Sequence, residues 1–298
     1  MKIKKTALLF AAVCSLVAGS ALAQDSGTLK KIKDTGVIAL GHRESSIPFS
    51  YYDDKQQVVG YARDVQMAIV DAVKKKLSLP NLQVKDIPVT SQNRIPLVQN
   101  GTVDIECGST TNNKERQQQA AFSNTFFVIG TRLMTKKDSG VKDFEDLKGK
   151  TVVTTAGTTS ERLLRKMNQD KNLGMNIISA KDHGDSFHTL ESGRAVAFMM
   201  DDALLAGERA KAHNSDEWVI VGTPQSREAY GCMMRKDDPA FKKVVDDAVA
   251  DFEKSGKADA SYKKWFESPI PPKGLNLKFP ESDDMKALFK NPNDKAID

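Results

Sequence analysis

The chain alternates strand-like and helix-like segments along most of its length, and this alternation constrains its fold more than any other feature. Residues 62–77 place apolar side chains at i, i+3 and i+4, which predicts a helix with one buried face. Residues 151–155 are rich in β-branched side chains, which are typical of a strand, and residues 176–180 and 218–221 are also predicted strands. Short helices are predicted over residues 94–99, ended by Asn-Gly, and over residues 186–193, and a further helix begins near Ser160 with Thr159 or Ser160 as its N-cap. Such pairs recur in two cycles, over about residues 37–134 and 144–234. Repeated alternation predicts an α/β architecture with mainly parallel sheets.

Polar loops follow five of the predicted strands, and Asp201 closes a sixth. The five loops are residues 42–46, 90–94, 108–111, 157–160 and 182–185. Any one of them alone is typical of a capped turn, but ligands of α/β sheets bind beyond the carboxyl ends of strands. The loops supply hydroxyls, two arginines and a histidine. Arginine offers a carboxylate two parallel donors, and helix N-termini add backbone N–H groups. This inventory suits a small ligand with two anionic groups and one ammonium group.

The first 23 residues have the parts of a secretory signal peptide. Residues 1–5 carry three lysines, an apolar run follows, and residues 21–23 are Ala-Leu-Ala, which predicts cleavage before Gln24. The apolar run is too short and interrupted for a transmembrane anchor. Cleavage reduces the basic residues from 44 to 41 against 39 acidic residues, a net charge of +2. So small a charge gives no electrostatic basis for binding nucleic acid.

Two cysteines, Cys107 and Cys232, remain after this cleavage. Export implies an oxidising compartment, where a pair of thiols tends to form a disulfide. We therefore expect a Cys107–Cys232 disulfide, with two buried free thiols as the alternative.

Motifs for enzymes and metal sites are weak in this sequence. Residues 184–186 (Gly-Asp-Ser) resemble the start of a serine-esterase block, but they overlap the D-x-x-H of residues 185–188. A nucleophile and its base cannot face each other across a cleft from such overlapping positions, and the sequence has no G-x-S-x-G motif. The Asp and His residues at 182–188 match no zinc or EF-hand spacing. We expect neither a metal nor a cofactor.

Five segments carry a resemblance to a known family. They are GHRESSIPFSYYD, which starts at Gly41, VTSQNRIPLVQNGTVDIECGSTTNN, AGTTSERLL, SAKDHGDSFHTLESGRAVAFMMDDALLAGERAKA and EAYGCMMRKDDPAF. From about residue 28 to its C-terminus, the chain resembles the periplasmic substrate-binding proteins of polar amino-acid ABC uptake systems. The KDHGDSF and MMDD segments are the most specific, since they resemble the branch that binds dicarboxylic amino acids.

The resemblance implies a two-lobed periplasmic-binding-protein fold (type II), in which two crossing strands join two α/β lobes that close on the ligand. Lobe 1 would contain residues 24–130 and 231–298, and lobe 2 residues 131–230. The implied function is that of a periplasmic, non-enzymatic monomer that captures L-glutamate and L-aspartate and delivers them to a membrane ABC permease. The alternatives are an enzyme of the cyclohexadienyl-dehydratase type, for which Glu44 and His183 are the candidate acid or base, and an amino-acid sensor.

The resemblance also implies a set of ligand-binding side chains. They are Arg43, Ser91, Arg94, Ser109, Thr111, Thr159, His183 and Asp201. Arg94 would bind the ligand α-carboxylate bidentately, helped by Ser109, Thr111 and Thr159. Asp201 would accept the α-ammonium group.

The side-chain carboxylate of the ligand would face Arg43 and His183. This end of the pocket is where the dicarboxylate branch departs from branches that bind basic or amide side chains. Ser91 lies where the family places a ligand-contacting hydroxyl. The aspartates beside His183 give the histidine an alternative role in local hydrogen bonding. Its protonation matters, because an imidazolium favours a second carboxylate much more than a neutral imidazole does.

Overall fold

The computed structural model describes residues 27–297. The predicted signal peptide therefore lies outside the described residues. The strands are β1 (Val37–His42), β2 (Ser45–Ser46), β3 (Ser50–Tyr52), β4 (Val58–Val59), β5 (Gln83–Pro88), β6 (Ile105–Glu106), β7 (Ala121–Lys136), β8 (Thr151–Thr155), β9 (Asn176–Ala180), β10 (Ala197–Asp201), β11 (Trp218–Val221) and β12 (Arg227–Met234). The α-helices are α1 (Thr28–Thr35), α2 (Tyr61–Leu77), α3 (Arg94–Gln99), α4 (Lys114–Gln117), α5 (Thr159–Asp170), α6 (His183–Glu191), α7 (Asp202–Lys211), α8 (Pro239–Lys254), α9 (Lys257–Phe266) and α10 (Asp283–Lys290). Short 3₁₀ turns occupy Phe144–Leu147 and Ser215–Glu217.

One continuous sheet contains nine of these strands, in the order β5-β1-β6-β12-β7-β10-β8-β9, with β11 also paired to β7. The long strand β7 lies in the middle of the sheet and contributes to both of its halves. Its residues 121–130 pair with β12, and its residues 131–136 pair with β10 and β11. We call β5, β1, β6, β12 and residues 121–130 the first half, and β10, β8, β9, β11 and residues 131–136 the second half.

The expectation of mainly parallel sheets is right for the outer strands and wrong for the central ones. β1 runs parallel to β5 and β6, and β8 runs parallel to β9 and β10. In contrast, β7 runs antiparallel to β10, β11 and β12, and β12 also runs antiparallel to β6. The reason is connectivity, because β7 carries the chain into the second half and the neighbouring β12 carries it back.

The helix predicted over residues 62–77 is observed as α2. Val65, Ile69 and Val73 lie on its buried face, which packs against α8. Three lysines occupy the last turn of α2, where cations are favourable to the helix dipole. No helix among residues 27–297 has both the length and the apolar character needed to cross a membrane.

The cysteines confirm the expected pairing, since Cys107 and Cys232 form a disulfide. Both are fully buried in the first half. Cys107 directly follows β6 and Cys232 lies in β12, and these two strands are neighbours with Met233 opposite Glu106. The bond therefore fastens adjacent strands of one half and does not bridge the two halves.

Helix α5 begins one residue earlier than the sequence suggested. The sequence pointed to Thr159 or Ser160 as its N-cap, but the side chain that accepts the backbone N–H of Glu161 belongs to Thr158, at 3.0 Å. Thr158 has the extended backbone that suits an N-cap. The hydroxyls of Thr159 and Ser160 are consequently released from capping and make contacts elsewhere.

Candidate ligand-binding site

The eight predicted ligand-binding side chains lie beyond the carboxyl ends of six strands. Five follow β1, β5 and β6 of the first half, and three lie at or after the ends of β8, β9 and β10 of the second half. Seven are buried, and Thr159 is half-buried. We call the boundary between these two groups of loops the cleft.

Two buried arginines dominate the first-half side of the cleft. The Arg43 Nη1 group donates to Ser109 Oγ at 3.3 Å, and Arg94 Nη1 donates to the Ser109 carbonyl at 3.0 Å and to Thr110 Oγ1 at 2.6 Å. Arg43 Nη2 and Arg94 Nε are buried and have no hydrogen-bond partner within residues 27–297. A buried donor without a partner costs about 1–3 kcal/mol. These two groups are therefore donors suited to the oxygens of an anion.

The electrostatics of this side also favour an anion. Burial, followed by repulsion from Arg94, lowers the pKa of Arg43 to about 10. The same two causes lower the pKa of Arg116 to about 9, and burial lowers the pKa of Arg94. Three guanidinium groups thus share one poorly solvated region, where the negative charge of a ligand would relieve their repulsion.

His183 opens helix α6, three residues earlier than the sequence suggested, because Asp182 is the N-cap. Its Nδ1 lies 2.9 Å from Thr155 Oγ1, and Thr155 Oγ1 lies 2.8 Å from Ser186 Oγ. The Ser186 hydroxyl donates to the Asp182 carbonyl at 2.8 Å. Since each hydroxyl has one hydrogen, Thr155 must donate to Ser186 and accept from His183. The neutral imidazole therefore carries its proton on Nδ1, and Nε2 is bare.

The protonation of His183 follows from its surroundings. Burial, then the positive charges of Arg43, Arg94 and Lys211, lower the pKa of His183 well below its usual value. The imidazole is therefore neutral at pH 7 when no second carboxylate is near. Nε2 is buried and makes no hydrogen bond to the described part of the chain, so it is positioned to meet a ligand.

A carboxyl group occupies the opposite, second-half side. Asp201 Oδ1 accepts hydrogen bonds from Thr131 Oγ1 at 3.1 Å and Ser160 Oγ at 3.2 Å, and Asp201 Oδ2 accepts one from the Tyr230 hydroxyl. Burial, then repulsion from Glu228, raises the pKa of Asp201 to about 7. An ammonium group beside Asp201 would supply the positive charge that this carboxyl lacks.

The remaining predicted hydroxyls differ in their contacts. Ser91 Oγ is buried without a partner among residues 27–297, as expected of a ligand-contacting group. Thr111 Oγ1 and Thr159 Oγ1 instead both donate to Glu228 Oε2. The roles assigned to these eight residues in binding a ligand stay predictions.

Sequence reasoning missed four residues of the cleft. They are Glu106, Arg116, Glu228 and Tyr230. Glu106 Oε2 accepts from the Thr110 hydroxyl at 2.6 Å, and Arg116 Nη1 donates to the Thr111 carbonyl at 2.9 Å. A signal existed for the two glutamates, because each stands beside buried apolar residues in a strand. Arg116 carried none, since it lies in a polar stretch typical of an exposed helix.

Several contacts hold the two halves together across the cleft. Arg116 Nη2 donates to the Gly157 carbonyl at 3.4 Å, and the Gly184 backbone N–H donates to Ser45 Oγ at 3.3 Å. A Cβ atom on Gly157 would lie 2.9 Å from Gln92 Cα, so only glycine allows this close approach.

Within residues 27–297, no group of three or more acidic, histidine or cysteine side chains is arranged to hold a metal ion.

A sheet shared by two α/β halves, with buried polar and charged groups meeting between them, is the arrangement of proteins that close around a ligand, as solute-binding proteins do. Residues 38–268 match the bacterial extracellular solute-binding proteins, family 3, and the chain belongs to this family. The two-lobed fold implied by the sequence is thereby confirmed.

Two relatives are similar to this chain in sequence over its whole length. The chain is 66% identical to the glutamate/aspartate import solute-binding protein of Salmonella typhimurium, with 100% of both chains covered. It is 65% identical to the protein of the same name from Escherichia coli K12, again over 100% of both. Both relatives are named as import solute-binding proteins, which agrees with the expectation of a non-enzymatic protein.

A solved structure supports the fold. The structure of an ancestral arginine-binding protein bound to arginine has a TM-score of 0.69 and 30% identity to this chain. The similarity covers 78% of this chain and 98% of the ancestral protein.

Proposed function

We propose that this protein captures L-glutamate and L-aspartate in the periplasm and delivers them to a membrane ABC permease. The observation that carries the proposal is the pair of buried arginines, each with an N–H group that has no partner in residues 27–297. Arg43 and Arg94 bond different atoms of Ser109, so both guanidinium groups lie on the same side of the cleft. The names of the two import proteins from Salmonella typhimurium and Escherichia coli K12 point to the same ligands.

In this proposal each group of the ligand has a partner in the cleft. Arg94 binds the α-carboxylate through paired N–H donors, and Asp201 accepts the α-ammonium group. Arg43 and His183 take the side-chain carboxylate. Glutamine and asparagine offer a neutral amide at that end, which pairs less strongly with Arg43 than a carboxylate does, so they bind more weakly.

The two halves correspond in this proposal to the two lobes of a clamp. Residues 24–130 and 231–298 form lobe 1 and residues 131–230 form lobe 2, except that residues 227–230, which pair with residues 127–130 of β7, lie with the first half. The pairing of Arg227 with Gly130 supports two crossing points that lie side by side. Ligand binding would favour the closed arrangement, because only there do both lobes contact the ligand. The protein would act as a monomer after removal of its signal peptide.

Isothermal titration calorimetry tests the ligand assignment. The mature protein is unfolded and refolded to remove carried-over ligand, then titrated with glutamate, aspartate, glutamine, arginine and histidine. We expect one-to-one binding confined to glutamate and aspartate. Tight binding of arginine or glutamine would contradict the proposed distal pocket, and absence of heat with every ligand would contradict the function.

Two arginine variants test the division of roles. Arg94→Ala should lower the binding affinity for every amino acid by about two to four orders of magnitude, because it leaves the buried carboxylate of the ligand unpaired. Arg43→Ala should weaken the dicarboxylates selectively and reduce their preference over glutamine. Arg63→Ala is the matched control, since Arg63 pairs with Asp86 at the surface. Unchanged glutamate affinity in Arg43→Ala would refute the assignment of the distal carboxylate.

A further inference from the structure

Glu228 occupies a position where the two halves meet. It lies in β12, opposite Ile129 of β7, and its side chain is buried. Its carboxylate accepts hydrogen bonds from three hydroxyl groups. Ser226 Oγ donates to Oε1 at 3.0 Å, while Thr111 Oγ1 and Thr159 Oγ1 donate to Oε2, the latter at 2.9 Å.

The two hydroxyls on Oε2 come from different halves. Thr111 follows β6 of the first half, and Thr159 is the first residue of α5, which follows β8 of the second half. Their Oγ1 atoms lie 3.5 Å apart. One carboxylate oxygen therefore holds one hydroxyl from each side of the cleft.

Neighbouring contacts join the same two segments. Arg116 donates to the carbonyls of Thr111 and Gly157, and Arg162 of α5 forms an ion pair with Glu115 of α4. The ion pair is exposed and therefore contributes little. Glu228 is buried, and hydrogen bonds to a buried charged acceptor are stronger than those between neutral groups.

We infer that Glu228 is a positioning residue that latches the closed cleft by holding Thr111 and Thr159 on one carboxylate oxygen. This inference rests on the proposed function and deepens it. Opening the cleft moves Thr159 away with the second half, so the Thr159–Glu228 hydrogen bond breaks. A contact that exists only in the closed state slows opening. The latch therefore lengthens the residence time of the ligand and leaves its capture largely unchanged.

Stopped-flow measurement of glutamate association and displacement tests this inference. Glu228→Ala and Thr159→Val should each raise koff about tenfold to a hundredfold, the range expected for hydrogen bonds to a charged group, while kon changes much less. Thr159→Ser keeps the hydroxyl and should restore a nearly normal koff. Thr135→Val is the matched control, because that buried hydroxyl donates to the Val196 carbonyl inside the second half.

A double variant separates a latch from a direct ligand contact. If Thr159 acts through Glu228, the Glu228→Ala/Thr159→Val protein should release glutamate no faster than the more affected single variant. Additive effects, or an unchanged koff in Thr159→Val, would overturn the latch. If Glu228→Ala fails to fold, Glu228→Gln takes its place in the single and double variants, because the amide keeps the shape of the side chain but replaces one acceptor oxygen with a donor. A wild-type protein that binds neither glutamate nor aspartate would overturn the proposed function and the latch with it, whereas normal binding with unchanged koff would overturn the latch alone.

Discussion

Binding of a dicarboxylate should be coupled to protonation of His183. The hydrogen-bond chain through Thr155 and Ser186 to the Asp182 carbonyl fixes a proton on Nδ1. A second carboxylate that meets Nε2 needs a proton there as well, so His183 must bind it as an imidazolium. The perturbation is therefore a change of pH, compared between the wild type and His183→Gln.

The sign and size of the effect follow from the charges around the ring. In the ligand-free protein, burial and the facing cations Arg43, Arg94 and Lys211 lower the pKa of His183 well below its usual value. The ligand carboxylate raises this pKa, so the proton is taken up on binding. Between the two pKa values the affinity falls as pH rises, by up to about tenfold per pH unit, or about 1.4 kcal/mol. Below the lower pKa the slope disappears.

Asp201 contributes an effect of the opposite sign, namely the release of a proton on ligand binding. Burial and the charge of Glu228 raise the pKa of Asp201 to about 7, and a bound ammonium group would lower it and release a proton. The wild type and His183→Gln share this release, so their difference isolates His183. Calorimetry in buffers of different ionisation enthalpy counts the protons directly. We expect glutamate binding to take up close to one more proton in the wild type than in His183→Gln.

Equal proton uptake by the wild type and His183→Gln would refute this reasoning. So would the same slope of log Kd against pH in both proteins. Either result would mean that His183 meets the ligand as a neutral ring, or that the distal carboxylate binds only to Arg43.

Two further predictions concern stability. The disulfide closes a loop with a sequence separation of 125 residues, for which chain entropy gives up to about 5 kcal/mol of stability. The Cys107→Ala/Cys232→Ala variant should therefore unfold at a much lower urea concentration, while its glutamate affinity stays within a few-fold of the wild type. A decrease in the free energy of unfolding of less than about 1 kcal/mol would contradict this. Burial raises the pKa of Glu253 to about 9, above its unfolded value, so its carboxyl favours folding fully below about pH 4.5 and progressively less as pH rises towards 9. Glu253→Gln should therefore gain stability relative to the wild type by about 1.4 kcal/mol per pH unit between pH 5 and 9, and a difference in Tm that is the same at pH 5 and pH 8 would contradict this.

Local patterns predicted most of the elements. The strands over residues 151–155, 176–180 and 218–221 and the helix over residues 94–99 agree with the structure residue for residue. These segments have strong local signals, namely β-branched runs or a stop at Asn-Gly. Polar loops after strands also led to Arg43, Arg94, His183 and Asp201, which the structure brings to one cleft.

The features that the sequence did not predict depend on contacts between segments that are distant along the chain. The direction of β7 and β12 follows from the path of the chain between the halves, which no local pattern encodes. Thr158 and Thr159 are equivalent as N-caps by composition, and only the backbone decides between them. The role of Glu228 depends on three hydroxyl partners, which are separated from it by up to 117 positions.

The formal charges of the cleft explain why proton uptake and ligand choice belong together. Three buried arginines face the buried carboxyls of Glu106, Asp201 and Glu228, so their formal charges nearly cancel. Glutamate brings one net negative charge into this region, and an uncompensated buried charge is costly. Protonation of His183 cancels that charge. Glutamine brings no net charge and offers no second carboxylate, so its binding should leave His183 neutral. Selectivity between the two ligands should therefore decrease as pH rises, because glutamate alone depends on the imidazolium.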